Sequence, residues 1–217
     1  MNKKKDIEYR FEKKFVFKSQ KKIVEDLVYK NSGVFYKKYP SRRINNIYFD
    51  DFEESLLDMN IEGISRRIKV RIRWYENEIE KSILEIKKKN NQKNYKLYYP
   101  LKKKFELNSS SNTYLKSFIK KNDEINNLEY LQPIIQNKYK RDYFESYLED
   151  IRLTIDYQLN YKNLKLEKKF NQIENLVIVE LKYSEPSKML REISSNLETR
   201  MSKFSKYVSC ATEDFSN

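Results

Sequence analysis

Charged and apolar residues alternate strictly along residues 67–75, RIKVRIRWY. Arg67, Lys69, Arg71 and Arg73 hold the odd positions, and apolar residues stand between them. Successive side chains of a strand point to opposite faces, so the segment predicts a strand with one cationic and one apolar face. Read as a helix, the same residues would spread charge around the whole cylinder. Four like charges on one face repel each other unless an anion lies against them, which makes this face a candidate polyanion-binding surface.

The same alternation recurs along the chain. It predicts further strands over residues 9–15, 44–49, 83–89, 133–143, 151–157 and 176–183. Apolar spacing predicts a helix over 19–31 with Ser19 as its N-cap, a short helical turn over 53–59 and a terminal helix over 185–207. A hairpin turn is expected at 76–78. The Asn-, Ser- and Lys-rich residues 90–127 are interpreted as a variable excursion from the sheet that carries a short helix over 114–119.

Two architectures fit such one-sided strands. In an open sheet the charged faces would only be solvated, whereas in a closed barrel with its core outside they would line a lumen. The charged faces combine cations with glutamates at the same phase, in the pairs Glu12 and Lys14, Glu85 and Lys87, and Glu180 and Lys182. A tunnel that binds phosphates together with a metal cation would require this mixture, and the pattern therefore favours the barrel.

Composition narrows the chemistry. The 217 residues fit one domain, and 45 Lys and Arg against 32 Asp and Glu give a net charge of +13, which indicates an anionic partner. The chain contains no histidine and one cysteine, Cys210, which excludes histidine-based catalysis and an internal disulfide. Two glycines, Gly33 and Gly63, cannot build a P-loop or a Rossmann turn, so phosphates would have to be held by side chains. No membrane span or signal peptide is recognised, and a cytoplasmic location is expected.

Several short motifs, in order along the chain, resemble the VTC domain, the polyphosphate polymerase domain of the vacuolar transporter chaperone family. The motifs are Arg10-Phe-Glu12-Lys-Lys14-Phe15, residues 47–50 (IYFD), Gly63 with residues 67–75, residues 84–87 (LEIK), 139–141 (YKR), 152–156 (RLTID), 179–182 (VELK) and 202–207 (SKFSKY). The resemblance implies an α+β fold of the triphosphate tunnel superfamily over residues 1–217. That fold is a closed eight-stranded antiparallel β-barrel tunnel with a polar basic lumen, helices packed outside and a C-terminal helix at one tunnel mouth.

The resemblance also implies a reaction, the transfer of the ATP γ-phosphate to a growing inorganic polyphosphate chain inside the tunnel, with Mn²⁺ or Mg²⁺ as cofactor. The residues implied as catalytic are Arg71, Arg73, Lys87, Arg141 and Arg152. Those implied in substrate binding are Lys14, Lys69, Tyr139, Lys182, Lys203, Ser205 and Lys206. Glu180 is implied as the metal ligand, and Glu12 and Glu85 would either share the metal or balance the lumen charge.

Other functions remain open at this point. The same tunnel could hydrolyse triphosphates, or bind polyphosphate or a nucleotide without turnover. A nucleic-acid-binding sheet is disfavoured, because Tyr75 alone shares the cationic face of residues 67–75, and such sheets interleave aromatic residues with their cations. The expected partners are therefore ATP and polyphosphate and not nucleic acid. Whether a membrane protein receives the product, and the oligomeric state, are left open.

Overall fold

The computed structural model describes residues 4–6, 11–90, 93–122, 125–166 and 169–215 as an α+β fold. The strands are β1 (Lys4–Asp6), β2 (Phe11–Lys18), β3 (Phe35–Asp50), β4 (Arg66–Tyr75), β5 (Ile83–Asn90), β6 (Lys93–Pro100), β7 (Gln132–Ser146), β8 (Ile151–Asn163), β9 (Asn171–Gln172), β10 (Leu176–Tyr183) and β11 (Met201–Ser202). The α-helices are α1 (Lys21–Tyr29), α2 (Ser55–Ile61), α3 (Ser109–Lys120), α4 (Lys188–Ser195) and α5 (Lys206–Thr212). None of the helices described is long and apolar enough to cross a membrane.

The strands form one antiparallel sheet in the order β1-β6-β5-β4-β3-β7-β8-β10-β2-β11, with β9 paired to β8. Six strand positions separate β5 from β2, which would be about 29 Å in a flat sheet. Nevertheless Lys87 Nζ on β5 lies 3.2 Å from Glu12 Oε2 on β2. The sheet therefore curls until strands near its two ends face each other, and one of its faces becomes concave.

Three hydrophobic cores are found among the residues described, and the convex face carries two of them. Ile47, Val70 and Leu84 belong to the first of these cores, in which β3 to β6 pack against α3. In the second, β2, β7, β8 and β10 pack against α1 and α4, through residues such as Leu153 and Val28. Their apolar side chains are the ones that alternate with the charged positions, so the charged side chains point to the concave face.

The third core lies on the concave face and closes one end of it. Val16 and Ile178 continue the inward-facing rows of β2 and β10 beyond Lys14 and Glu180, and they join the core that contains Tyr207 and Cys210 of α5. The Tyr207 ring stacks on Tyr48 of β3 with centroids 5.0 Å apart. The concave face is therefore apolar and covered by α5 at one end and charged at the other.

Several of the expected elements are confirmed, including the strands over 67–75 and 176–183 and the short helix over 53–59. The prediction that residues 90–127 leave the sheet is wrong where they form strand β6, whereas the short helix expected over 114–119 is confirmed within α3. The prediction of one terminal helix over 185–207 is also wrong. The backbone is left-handed at Glu198, with φ 54°, and the segment divides into α4, β11 and α5.

Two further expectations are corrected. The residue that caps α1 is Gln20, without a side-chain hydrogen bond, instead of Ser19. Hydrogen-bonded pairing does not close the sheet into a ring among the residues described, since the order ends at β1 and β11. The expected strand over 9–15 is described from Phe11 onward, and Tyr9 and Arg10 lie outside the described residues.

Candidate functional site

The concave face gathers ionisable side chains from seven strands and from the start of α5. Directly opposed residues of paired strands share a face, so the register assigns each side chain to a row. Along one row, Arg71 on β4 stands opposite Tyr48 on β3 and Glu85 on β5. Along the next, Arg73 stands opposite Asn46. The two arginines that the sequence placed at the centre of the site are therefore adjacent on the concave face.

Glu85 joins these two arginines. Its Oε1 lies 2.6 Å from Arg71 Nη2, and its Oε2 lies 3.5 Å from Arg73 Nη1. Although burial opposes its ionisation, the two guanidinium groups lower the pKa of Glu85 to about 2. Arg71 also donates to the Tyr48 hydroxyl at 3.2 Å, and Arg73 donates to Asn46 Oδ1 at 2.8 Å. Both guanidinium groups are thus held in fixed positions by their neighbours.

Lysines from three strands form the next part of the site. Lys69 Nζ donates to Ser205 Oγ at 2.7 Å, and Lys14 Nζ donates to the Phe204 carbonyl oxygen at 3.1 Å. Burial, together with the nearby charges of Lys14 and Lys87, holds the pKa of Lys69 well below its usual range. Burial also lowers the pKa of Lys87, against the attraction of Glu12. Within this group Lys87 is paired with Glu12, whereas the charges that act on Lys69 are those of other cations.

Two carboxylates face each other diagonally across β2 and β10. Glu12 is paired with Lys182, and Glu180 is paired with Lys14, so the two glutamates are diagonal neighbours on the concave face. Burial opposes the ionisation of Glu180, yet Lys182 and Lys14 hold its pKa well below the usual range. Glu180 Oε1 lies 3.4 Å from Lys182 Nζ. Both glutamates lie among lysines, so Glu180 stays ionised in spite of its burial.

A third group of charges centres on Asp156 of β8. Its carboxylate accepts from Arg141 Nε and Nη2, the latter at 2.7 Å, and from Lys206 Nζ at the start of α5. Lys206 Nζ lies 4.6 Å from the centre of the Tyr139 ring. Burial would raise the pKa of Tyr139, but the charges of Arg141 and Arg73 lower it. Arg73 Nη2 lies 3.4 Å from the Tyr139 hydroxyl, which links this group to the first.

Not every predicted site residue enters these groups. The side chain of Arg152 is 50% exposed, with Nε 3.8 Å from Glu145 Oε1 at the open end of the concave face. Lys203 is exposed and precedes α5. Ser205 is the N-cap of α5, where its hydroxyl accepts from the Val208 N–H at 3.4 Å, as well as the partner of Lys69. The expected C-terminal helix thus packs on the concave face, but Lys203 and Ser205 lie before its first residue.

Part of the site is not predicted from the sequence. Asp156 and Tyr48 lie in motifs that resemble the VTC domain, but neither was assigned a role. Asp156 is at the same phase as Arg152 on its strand, which indicates that both side chains lie on the charged face. Lys96 was missed because β6 was missed. It is opposite Lys87 in the register and contributes to the lowered pKa of Lys87. A strand prediction over residues 96–99 would have placed its side chain on the charged face.

We use the name basic chamber for the set of inward-facing ionisable residues. Within the described part of the chain we assign to it nine cations, Lys14, Lys69, Arg71, Arg73, Lys87, Lys96, Arg141, Lys182 and Lys206, and four carboxylates, Glu12, Glu85, Asp156 and Glu180. The excess of cations in a largely buried site favours a multiply charged anion, because charge interactions are stronger there than in bulk water. No group of three or more His, Cys, Asp or Glu residues is arranged for metal binding in the described ranges.

Solved structures share the fold of this curled antiparallel sheet. A Hippeastrum protein described as an adenylyl cyclase candidate with a dominant triphosphatase activity matches with a TM-score of 0.59 at 14% identity, over 95% of this chain and 98% of that chain. An adenylate cyclase candidate from Bacillus halodurans matches with a TM-score of 0.55 at 16% identity, over 98% and 99% of the two chains. At these identities the likeness establishes the fold alone.

The family follows from a separate comparison. The family model of the VTC domain matches residues 5–213, so the chain belongs to the VTC domain family. No curated protein matches the chain.

Proposed function

We propose that this protein is a metal-dependent phosphotransferase that transfers the γ-phosphoryl group of ATP to inorganic polyphosphate within the basic chamber. The observation that carries the proposal is the position of Lys69, an inward-facing cation that donates to the neutral Ser205 hydroxyl and whose pKa is held low by burial and by the charges of neighbouring cations, first Lys14 and then Lys87. The positive charge at this position would be neutralised by a bound phosphate chain. Membership of the VTC domain family supports the choice of polyphosphate as product.

The roles proposed for the residues of the basic chamber follow from what phosphoryl transfer requires. The reaction depends on positioning and on neutralisation of charge, with little covalent participation by the protein. Arg71 and Arg73, fixed by Glu85, would bind non-bridging phosphate oxygens, and Arg141 and Lys206, fixed by Asp156, would do so from the facing wall. Groups that are already oriented in the free protein need no reorganisation when charge develops in the transition state.

A divalent cation would fit beside Glu12 and Glu180. Mg²⁺ is usually held by one or two carboxylates together with substrate phosphates, and these two glutamates are diagonal neighbours on the concave face. Glu85 fits less well, because both of its oxygens contact arginines. When bound, Mn²⁺ or Mg²⁺ would supply further neutralisation of phosphate charge. The carboxylates themselves would set where the metal sits relative to Lys14 and Lys182.

The first test is product analysis after incubation of the purified protein with ATP and Mn²⁺ or Mg²⁺. Polyphosphate chains resolved on a gel would support the proposal, and Arg71→Ala should reduce the rate by about 10²–10³-fold, the effect of losing one preoriented charge-stabilising donor. Arg191→Ala, an exposed arginine of α4, serves as the matched control and should keep full activity. Formation of ADP and free phosphate alone would identify a triphosphatase instead.

The second test separates turnover from binding. Glu180→Gln removes a negative charge from the basic chamber, so affinity for inorganic triphosphate in EDTA should be retained or strengthened. Turnover with metal should be lost, because a metal ligand is missing. If neither wild type nor variant turns over ATP while both bind triphosphate, the protein is a binding module and the proposed reaction is wrong.

A further inference from the structure

The open end of the concave face is lined by tyrosines. Tyr39 on β3 is paired with Tyr143 on β7, and their ring centroids lie 6.1 Å apart at an angle of 81°. Tyr143 is opposite Thr154, which is in the same row as Glu180, so the tyrosine pair continues the face of the basic chamber. Tyr75, at the end of β4, lies close enough to Tyr143 to affect its ionisation.

These rings are accessible from outside. The pairing of β3 with β4 begins at Ile44, so within the described residues the stretch of β3 before it has β7 as its partner. Tyr39 is 49% exposed in consequence, and Tyr143 is half-buried. Burial raises the pKa of Tyr143 to about 12, so its hydroxyl, like that of an ordinary tyrosine, is protonated at physiological pH and adds no negative charge that would repel an anion.

The tyrosines also lie at a suitable distance from the cations. Tyr143 follows Arg141 by two positions on the same face of β7, a separation of about 7 Å along the strand. Arg42 is opposite Arg141 in the register, at the same level of the site. A molecule with phosphates at Arg141 and a planar group one sugar further out would place that planar group against the tyrosines.

Aromatic rings suit a different part of a ligand from the one that cations bind. A phosphate chain is bound by the charges of Lys and Arg. A heterocyclic base is bound by stacking on an aromatic ring, whatever the pattern of hydrogen-bond donors and acceptors on its edge. If the open end held only inorganic polyphosphate, further cations would be expected where Tyr39, Tyr75 and Tyr143 stand. The simple alternative is that the tyrosines form a cross-strand pair that stabilises the sheet and does nothing more.

We propose that Tyr39, Tyr75 and Tyr143 form a nucleobase subsite at the open end of the basic chamber, where the base of a nucleoside triphosphate stacks while its phosphates lie among the cations. The proposal rests on the proposed function, since it takes the chamber as the triphosphate site. Stacking without base-specific hydrogen bonds accepts every base, so ATP and GTP should bind with similar affinity.

The test compares ATP with inorganic triphosphate, which has the phosphates but no base. Dissociation constants are measured by calorimetry in EDTA, so that metal-dependent turnover does not interfere. Tyr143→Leu should weaken ATP binding roughly 5- to 150-fold, the range expected for loss of one stacking contact, and leave triphosphate binding within twofold of wild type. Tyr143→Phe keeps the ring and should bind ATP like wild type.

Two further variants complete the design. Tyr39→Leu changes an exposed edge residue and provides the same comparison if Tyr143→Leu does not fold. Tyr130→Leu is the control, because Tyr130 is 55% exposed and lies next to Leu131 of the convex-face core that packs against α3. Equal weakening of ATP and triphosphate, or no weakening of either, would overturn the subsite while leaving the anion site intact. If wild-type protein binds neither ligand, the proposed function fails and the subsite fails with it.

Discussion

We expect Lys69 to lower the stability of the ligand-free protein and to strengthen the binding of triphosphate. Its ammonium group is largely buried, and its described contacts are the Ser205 hydroxyl at 2.7 Å and the Tyr207 ring, whose centre is 5.9 Å away. Burial and the neighbouring cations, first Lys14 and then Lys87, hold its pKa well below the usual range. Burying a charge in this environment carries a desolvation penalty, which lowers the free energy of unfolding.

The perturbation is Lys69→Met, which keeps the length of the side chain and removes the charge. Replacing buried charged groups by apolar ones of similar volume is often stabilising, by about 1–4 kcal/mol. In a domain of this size each kcal/mol shifts Tm by about 2–4 °C. We therefore expect the ligand-free variant to melt about 2–16 °C above wild type in differential scanning fluorimetry.

Addition of triphosphate should narrow or reverse this difference in Tm. At a concentration one hundred times its Kd, a ligand stabilises the protein that binds it by about 2.7 kcal/mol. Wild type should gain this stabilisation, whereas Lys69→Met, with weaker binding, should gain much less. Lys116→Met, at an exposed position of α3, should change neither the ligand-free Tm nor the ligand response.

The pH dependence has a definite sign. Since the pKa of Lys69 is lower in the folded than in the unfolded protein, the unfolded state binds more protons between the two values, and stability rises with pH there. The destabilisation is complete below the folded-state pKa and disappears as pH rises towards the ordinary lysine value of 10.5. Lys69→Met should lack this part of the slope. A ligand-free Tm below that of wild type would refute the reasoning and show that the bond to Ser205 outweighs the cost of the charge.

Three further predictions concern single buried groups. Asp50 accepts from two backbone N–H groups of α2, at 2.9 and 2.8 Å, and from the Tyr207 hydroxyl. Asp50→Ala leaves these buried donors unpaired and should lower the free energy of unfolding, measured in urea, by about 2–4 kcal/mol. A change below about 0.5 kcal/mol would contradict this role. Burial raises the pKa of Cys210 to about 12, so a thiol reagent should label it only after denaturation, and rapid labelling of the native protein would show that it is exposed. Despite burial, the arginines lower the pKa of Glu85 to about 2, so its contribution, at most about 3 kcal/mol, should be present above about pH 4.5 and lost as pH falls towards 2; Glu85→Gln should remove that part of the pH dependence of Tm.

The sequence predicts the strands well where one face is buried and the other is charged. The strand expected over 67–75 is observed as Arg66–Tyr75, and the one expected over 176–183 is observed as Leu176–Tyr183. A shift of one residue would turn every side chain to the wrong face, so the alternation fixes both the element and its orientation. For this reason the inward-facing cations and glutamates could be assigned from the sequence.

The pattern of apolar and polar residues does not predict the secondary structure of segments whose conformation depends on tertiary contacts. Strand β6 has clear alternation only over residues 96–99 and lies within an Asn- and Lys-rich segment, and its apolar face is buried by α3, as in the contact of Tyr99 with Phe118. The C-terminal segment has helical spacing throughout. The left-handed turn at Glu198 nevertheless ends the helical region, and Ser205 caps a new helix.

The grouping of site residues depends on contacts that no strand specifies alone. Lys87 and Glu12 meet because the sheet curls, although they are 75 residues apart in sequence and six strand positions apart in the sheet. Arg141 and Asp156 meet because β7 and β8 are paired in one register. The sequence indicates which side chains face inward, whereas the curl and the register determine which carboxylate neutralises which cation.

That neutralisation divides the cations of the basic chamber into two kinds. Arg71 and Arg73 are bound to Glu85, and Arg141 and Lys206 are bound to Asp156, so these four are fixed before any ligand arrives. Lys69 instead donates to the neutral Ser205 hydroxyl, and its pKa is lowered by burial and by the charges of other cations. An entering phosphate chain would therefore gain most binding energy at Lys69, because it supplies the negative charge that is missing there, while the paired arginines orient it without having to move. Lys69 thus couples ligand binding to stability, and the paired arginines set the geometry.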